Sequence, residues 1–190
     1  MASKLLQKSE KLSIRPDDTF RLAVVADTHS RPHPSLAAQL AALRPDGILH
    51  AGDVGDEAVL KELAAIAPVH AVRGNIDEHG PSLPDVLTLD LVSGDQLKVR
   101  ILLLHVGVAG PRLRADAAKL AREAGATLVV CGHSHVPFLA QERGVTVFNP
   151  GSCGPRRFHL PIVFGTVELT ARNVRLAHVD CETGKPWSPP

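Results

Sequence analysis

The chain has 190 residues, 44% hydrophobic and 22% charged, which suits one globular domain with a core of its own. Lysine plus arginine number 21 against 20 aspartate plus glutamate, a formal net charge of +1, and that balance argues against the broad basic face an extended nucleic-acid partner needs. Aromatic residues are 3% with no tyrosine, so the core must be aliphatic and platforms for stacking bases are not expected. Cys131, Cys153 and Cys181 are odd in number and widely spaced, which fits small buried thiols in a reducing compartment better than a disulfide framework. No apolar run approaches the ~20 residues of a bilayer span, and the N-terminus lacks the apolar stretch of a secretory signal. We therefore expect a cytoplasmic protein without a membrane partner, with residues 1–19 a lead-in segment, 20–185 one domain and 186–190 a frayed tail.

Apolar runs and helical patterns alternate along the chain. Phe20–Ala26 is a buried strand, Pro34–Leu43 a helix with proline in its first turn, and Gly47–Ala51 a second strand. Asp56–Ala67 is an amphipathic helix that starts on acids, and Pro68–Val72 a third strand. This β-α-β-α-β order implies parallel strands with right-handed crossovers. Asp85–Val92 and Leu97–Leu104 form an antiparallel hairpin, Arg112–Ala124 a helix closed by Gly125, and Thr127–Cys131 and Val145–Phe148 strands. Ile162–Leu169 and Asn173–Val179 make a closing hairpin. Two sheets with helices outside fit this order better than one open sheet.

Nearly every strand runs at once into residues able to hold a metal. The tips are Asp27-Thr28-His29, Gly52-Asp53, Gly74-Asn75, His105, Gly132-His133-Ser134-His135 and Asn149-Pro150-Gly151-Ser152. In α/β sheets ligands bind at the carboxyl ends of strands, so six loops point their polar tips at one rim. A pair of metal ions needs a shared carboxylate and several further nitrogen or oxygen donors. Asp53 is the isolated acid suited to bridging, and Asn75 adds a neutral oxygen. Mixed imidazole and carboxylate donors suit manganese, iron, zinc, cobalt or nickel rather than calcium.

In these ordered motifs, D-x-H, G-D, G-N, H and G-H-x-H, the sequence resembles the calcineurin-like metallophosphoesterases over about residues 20–180. Its shortness and the Asn149–Ser152 loop are similar to the small bacterial and archaeal phosphodiesterase branch, which also contains the metallophosphoesterase-like subunit of the retromer complex. The resemblance implies an α/β fold, a four-layer α/β/β/α sandwich of two mixed sheets. It also implies two divalent ions, manganese above all, with Asp27, His29, Asp53 and His135 on the first and Asp53, Asn75, His105 and His133 on the second. Asp53, Asn75 and His105 are thereby assigned to the catalytic group. The implied activity is hydrolysis of a small phosphodiester by a metal-bridging hydroxide. The alternatives are a phosphomonoesterase and a catalytically silent scaffold of the same fold. Relatives often pair through sheet or helix surfaces, so a homo-oligomer is a further expectation.

Three positions depart from the family pattern. Ile76 follows Asn75 where many relatives carry a histidine that protonates the leaving group. Val106 follows His105, and Ser30 closes the first turn, where many relatives have glycine. Arg156 and Arg157 are candidate clamps for phosphate oxygens, with solvated surface arginines the competing reading. His50 is either a donor to a ligand or a core histidine, and Asp77 either orients a ligand or caps a turn. Ser134 and Ser152 are taken as turn formers, and His79 as a loop-surface residue.

Overall fold

The computed structural model describes residues 5–189. Residues 1–4 of the expected lead-in and Pro190 of the expected tail lie outside them. In chain order the elements are β1 (Gln7–Ser13), β2 (Phe20–Val25), α1 (Leu36–Leu43), β3 (Gly47–His50), α2 (Ala58–Ala64), β4 (Val69–Ala71), β5 (Val86–Ser93) and β6 (Gln96–Leu104). There follow β7 (Val108–Ala109), β8 (Arg112–Leu113), α3 (Ala115–Ala124), β9 (Leu128–Val130), β10 (Phe138–Glu142), β11 (Val145–Asn149), β12 (Val163–Leu169), β13 (Val174–Asp180) and β14 (Pro186–Trp187).

Among the described residues two mixed six-stranded sheets form, ordered β1-β5-β6-β9-β11-β10 and β14-β13-β12-β2-β3-β4. Strand β2 shows why they stack. Leu22 and Val24 face the core between the sheets, while Ala23 and Val25 face the layer of α1 and α2, so period-two alternation buries both sides and leaves an unbroken apolar run. Leu36 and Leu40 of α1 and Val59 and Leu63 of α2 cover the outer face of that sheet. Ala117 and Ala121 of α3 cover the other against Leu102, Leu104 and Val129. The α/β/β/α layering follows from three apolar clusters separated by two sheets.

Local sequence ends the elements where backbone groups find other partners. The Asp56 carboxylate accepts the Ala58 amide at 2.8 Å, which starts α2 inside the expected helix. Helix α3 starts three residues late, at Ala115, because Arg112–Leu113 pair with Val108–Ala109 in a short hairpin. Gly125 ends α3 in the left-handed conformation (φ 68°), as the pattern suggests. Besides this short hairpin, three further strands lie where none is expected. Strand β1 is polar and exposed along nearly its whole length, β10 is an edge strand that follows Pro137, and β14 pairs with β13 within the supposedly frayed tail. None carries the apolar alternation by which strands are recognised.

Phe148 is fully buried between the sheets, and a Cβ at Gly165 of β12 would come to 2.5 Å from its ring. Phe148→Ala is expected to cost about 3–5 kcal/mol, and Gly165→Ala about 1–3 kcal/mol by overpacking. Both are read as lowered midpoints in urea unfolding; a Gly165→Ala midpoint equal to wild type would show that the ring has room to move.

Candidate metal centre

Strands β2, β3 and β4 are parallel neighbours in one sheet, and β6, β9 and β11 are parallel neighbours in the other. Each trio presents its carboxyl ends together, so the loops after six strands meet on one rim. Short loops then turn sharply. Asp27 (φ 55°), His29 (φ 47°), Asp53 (φ 54°), His133 (φ 70°) and His135 (φ 59°) all adopt the left-handed backbone conformation that non-glycine residues seldom enter. Each such position costs of order 1–3 kcal/mol, and clusters of them mark sites whose geometry outranks local comfort.

The side chains converge. His105 Nε2 lies 3.3 Å from Asp53 Oδ1, and His29 Nε2 lies 3.6 Å from Asp53 Oδ2, so the Asp53 carboxylate spans two imidazoles. His135 Nε2 lies 3.5 Å from Asp27 Oδ1 and 3.3 Å from His29 Nε2. The rings of His105 and His133 meet edge to face at 5.1 Å. Two donor sets share Asp27: Asp27, His29 and His135, and Asp27, Asp53 and His105, each with its ligand atoms within 4.8 Å of one another. Asn75 and His133 are exposed beside them, and the His133 amide donates to both Asp27 oxygens at 3.0 and 3.2 Å.

The electrostatics point to a cation. Burial pushes the Asp27 carboxyl up to about 7, aided by the Asp53 charge and opposed by His105. Burial brings His135 down to about 4. For Asp53 burial works upward, but the neighbouring His105 imidazole and the amides of Ile76 and Asn75 hold it well below the carboxylate range. His105 is raised: burial opposes, and Asp53 and the Ala51 carbonyl prevail. His105 donates Nδ1–H to Ala51 O at 2.8 Å, which turns Nε2 toward Asp53, and that buried nitrogen has no hydrogen-bond partner. Lone pairs outnumber protons in this cluster, so the residues fit divalent ions bound between them.

A layer behind the cluster holds it in place. His50 is buried and held neutral, its proton affinity lowered by burial to about 4. Its Nδ1 accepts the Gly52 amide at 3.2 Å, so its Nε2–H donates to Thr28 Oγ1 at 3.0 Å, and Thr28 donates to Val54 O at 3.0 Å. Asp77 accepts the amides of Gly74, Val54 and Gly55 at 2.7, 3.1 and 2.8 Å and thereby clamps the Asn75 loop to the Asp53 loop. Asn149 donates to Gly132 O at 2.7 Å and to Ser134 Oγ at 3.1 Å, and the Ser152 hydroxyl donates to Asp27 O at 3.0 Å. Arg157 Nη2 lies 3.3 Å from His29 Nε2, at the mouth of the cluster. Arg156 instead pairs with Glu182 and donates to Leu160 O. His79 is exposed on its loop, as expected, and also borders a cavity beside Asn75 and His105.

A two-sheet sandwich carrying an imidazole and carboxylate cluster at the strand ends defines a domain with a candidate metal centre. Residues 20–172 match the calcineurin-like phosphoesterase superfamily domain, and the chain belongs to that superfamily. It is 33% identical over 139 residues to a probable metallophosphoesterase of Methanothermobacter thermautotrophicus, covering 69% of this chain and 76% of that one. Among solved structures it resembles vacuolar protein sorting 29 of Cryptosporidium parvum, with a TM-score of 0.72 at 19% identity over 90% of this chain and 96% of that chain. It also resembles a predicted phosphoesterase of Streptococcus pneumoniae, with a TM-score of 0.64 at 19% identity over 89% and 93% of the two chains.

Gly74 packs so closely on Asp53 that a Cβ there would overlap the Asp53 amide nitrogen and Oδ1. Gly74→Ala is therefore expected to weaken manganese binding about tenfold or more while leaving far-ultraviolet dichroism unchanged. Undiminished binding in a manganese titration would show that this contact does not set the Asp53 position.

Proposed function

We propose that the protein is a divalent-metal-dependent phosphodiesterase acting on a small phosphoester. Asp27, His29, Asp53 and His135 would hold one ion, and Asp53, Asn75, His105 and His133 a second. The observation that carries this reading is the Asp53 carboxylate, one oxygen facing His105 and the other facing His29. Two ions bound there would supply Lewis acidity toward the phosphoryl oxygens and a hydrolytic water reactive near neutral pH, with manganese the expected metal. The chain's own residues do the rest. Asp27 and Asp53 supply the anionic charge, the His105–Ala51 hydrogen bond fixes the imidazole tautomer, and Arg157 stands ready as a cation for a phosphoryl oxygen. Ile76, half exposed beside Asn75, offers no proton to a leaving group, which favours esters of acidic alcohols or protonation by solvent. The three buried free thiols, those of Cys131 and Cys153 pushed up to about 12 by burial, support a reducing, cytoplasmic setting.

The fold likeness to a vacuolar sorting protein supports a second reading, an interaction scaffold without turnover. The full set of candidate ligands favours the enzyme. Elemental analysis followed by assay of bis-p-nitrophenyl phosphate against p-nitrophenyl phosphate with added Mn²⁺ separates the readings. The diester is expected to be the better substrate, and Asp53→Asn to lower kcat/KM by about a hundredfold or more with loss of metal. No turnover of either ester at full metal occupancy would assign the chain to the scaffold class, and equal rates would remove the diester preference.

A further inference from the structure

The family domain begins at residue 20, yet the segment before it is built into the rim of the site. Strand β1 runs parallel to β5, with Gln7 opposite Val86. Just ahead of it, the Leu6 amide donates to Asp85 Oδ2 at 2.8 Å, and the Asp85 amide returns a hydrogen bond to Leu6 O at 2.8 Å. Asp85 Oδ1 takes both Nε and Nη2 of Arg73, at 3.0 and 2.6 Å, and Arg73 Nη1 donates to Gly74 O at 3.0 Å. The N-terminal segment is thus tied, through one carboxylate and one guanidinium, to the residue beside Asn75.

This anchoring places Leu5 in the wall of a cavity of about 490 Å³ that Asn75 and His105 also line. The volume falls in the range of small-molecule sites. Leu5 from the N-terminal segment, Val106 beside His105 and Leu120 from α3 make much of its wall apolar. The charged groups of that wall are already matched: Arg73 is held by Asp85, and Asp116 by Arg114, with His79 as the further polar ring. Among the described lining residues, no lysine or arginine is left to receive a second anionic group.

We infer that the N-terminal segment completes the substrate site, and that the cavity it closes takes an uncharged, apolar ester group of a phosphodiester, with Leu5 a specificity-determining residue. This rests on the phosphodiesterase reading of the neighbouring cluster and names the substrate class within it. A second phosphate or a polynucleotide chain would enter the same cavity with no cation to meet it. An aryl or alkyl group would cover the leucines and valine and leave the phosphoryl group at the metal ligands.

The test uses the full chain loaded with manganese, and diphenyl phosphate and dimethyl phosphate as probes that share one anionic head. Calorimetric titration is expected to give diphenyl phosphate an affinity about tenfold or more above dimethyl phosphate. Leu5→Ser is expected to cut that ratio about threefold or more, and Leu5→Met to restore it. Metal content and melting temperature are measured beside each titration, and since Leu5 is 46% exposed both should stay near wild type. A ratio near one in the wild type, failure of both probes to bind, or an unchanged ratio in Leu5→Ser overturns the inference. If bis-p-nitrophenyl phosphate is not turned over but the diphenyl preference and its loss in Leu5→Ser are both seen, the hydrolase reading fails and the cavity assignment stands.

Discussion

Two carboxylates and four imidazoles meet at one end of the sandwich with more lone pairs than protons between them. Asp53 faces imidazole nitrogens with both oxygens, Asp27 is buried to the point that its carboxyl is pushed up to about 7, and the Nε2 atom of His105 is buried without a hydrogen-bond partner. Such a cluster is unfavourable by itself, because desolvated acceptors repel each other and buried charge lacks a counterion. A divalent cation bound there would convert each of those costs into a bond, and five of the donors stand on a left-handed backbone that the surrounding structure must hold in place.

The rigidity comes from the sheets. Parallel trios in each sheet bring strand ends within a loop's reach of one another, and the apolar layer between the sheets, with Leu22, Val24, Leu49, Leu103 and Phe148, fixes the distance between the trios. The loops are then locked by neutral or fully matched polar groups. His50 bonds the first two loops through Thr28 and Gly52, Asp77 bonds the second and third, and Asn149 and Ser152 secure the loops that carry His133 and Asp27. This supporting layer is what lets six loops deliver their side chains to within a few ångströms.

Two of the three departures from the family pattern, Ile76 and Val106, lie on the Asn75 and His105 side of the cluster, while Ser30 bonds the Asp56 amide elsewhere. Ile76 stands in the open beside Asn75, and Val106 turns into the cavity that Leu5 closes. Each replaces or adds an apolar group next to a candidate ligand. On the proposed reading, the shared part of the fold would serve the phosphoryl chemistry and the less shared part would shape what the phosphoryl group is attached to.

Apolar periodicity and the residues just after each apolar run already spelled out the layered fold, the three helices and the ordered D-x-H, G-D, G-N, H and G-H-x-H tips. Those features are local: a run such as Phe20–Val25 buries both faces wherever it sits, and turn residues follow it directly. The strands β1, β10 and β14 were hidden because edge strands are specified by a neighbour's free hydrogen bonds and not by their own side chains. Tertiary structure alone decided that Asp77 clamps two loops, that Arg157 and not Arg156 reaches His29, and that Leu5 lines the cavity beside His105. Each of these depends on contacts between residues from about 20 to more than 100 positions apart, and such contacts exist only once strands distant in sequence have come together.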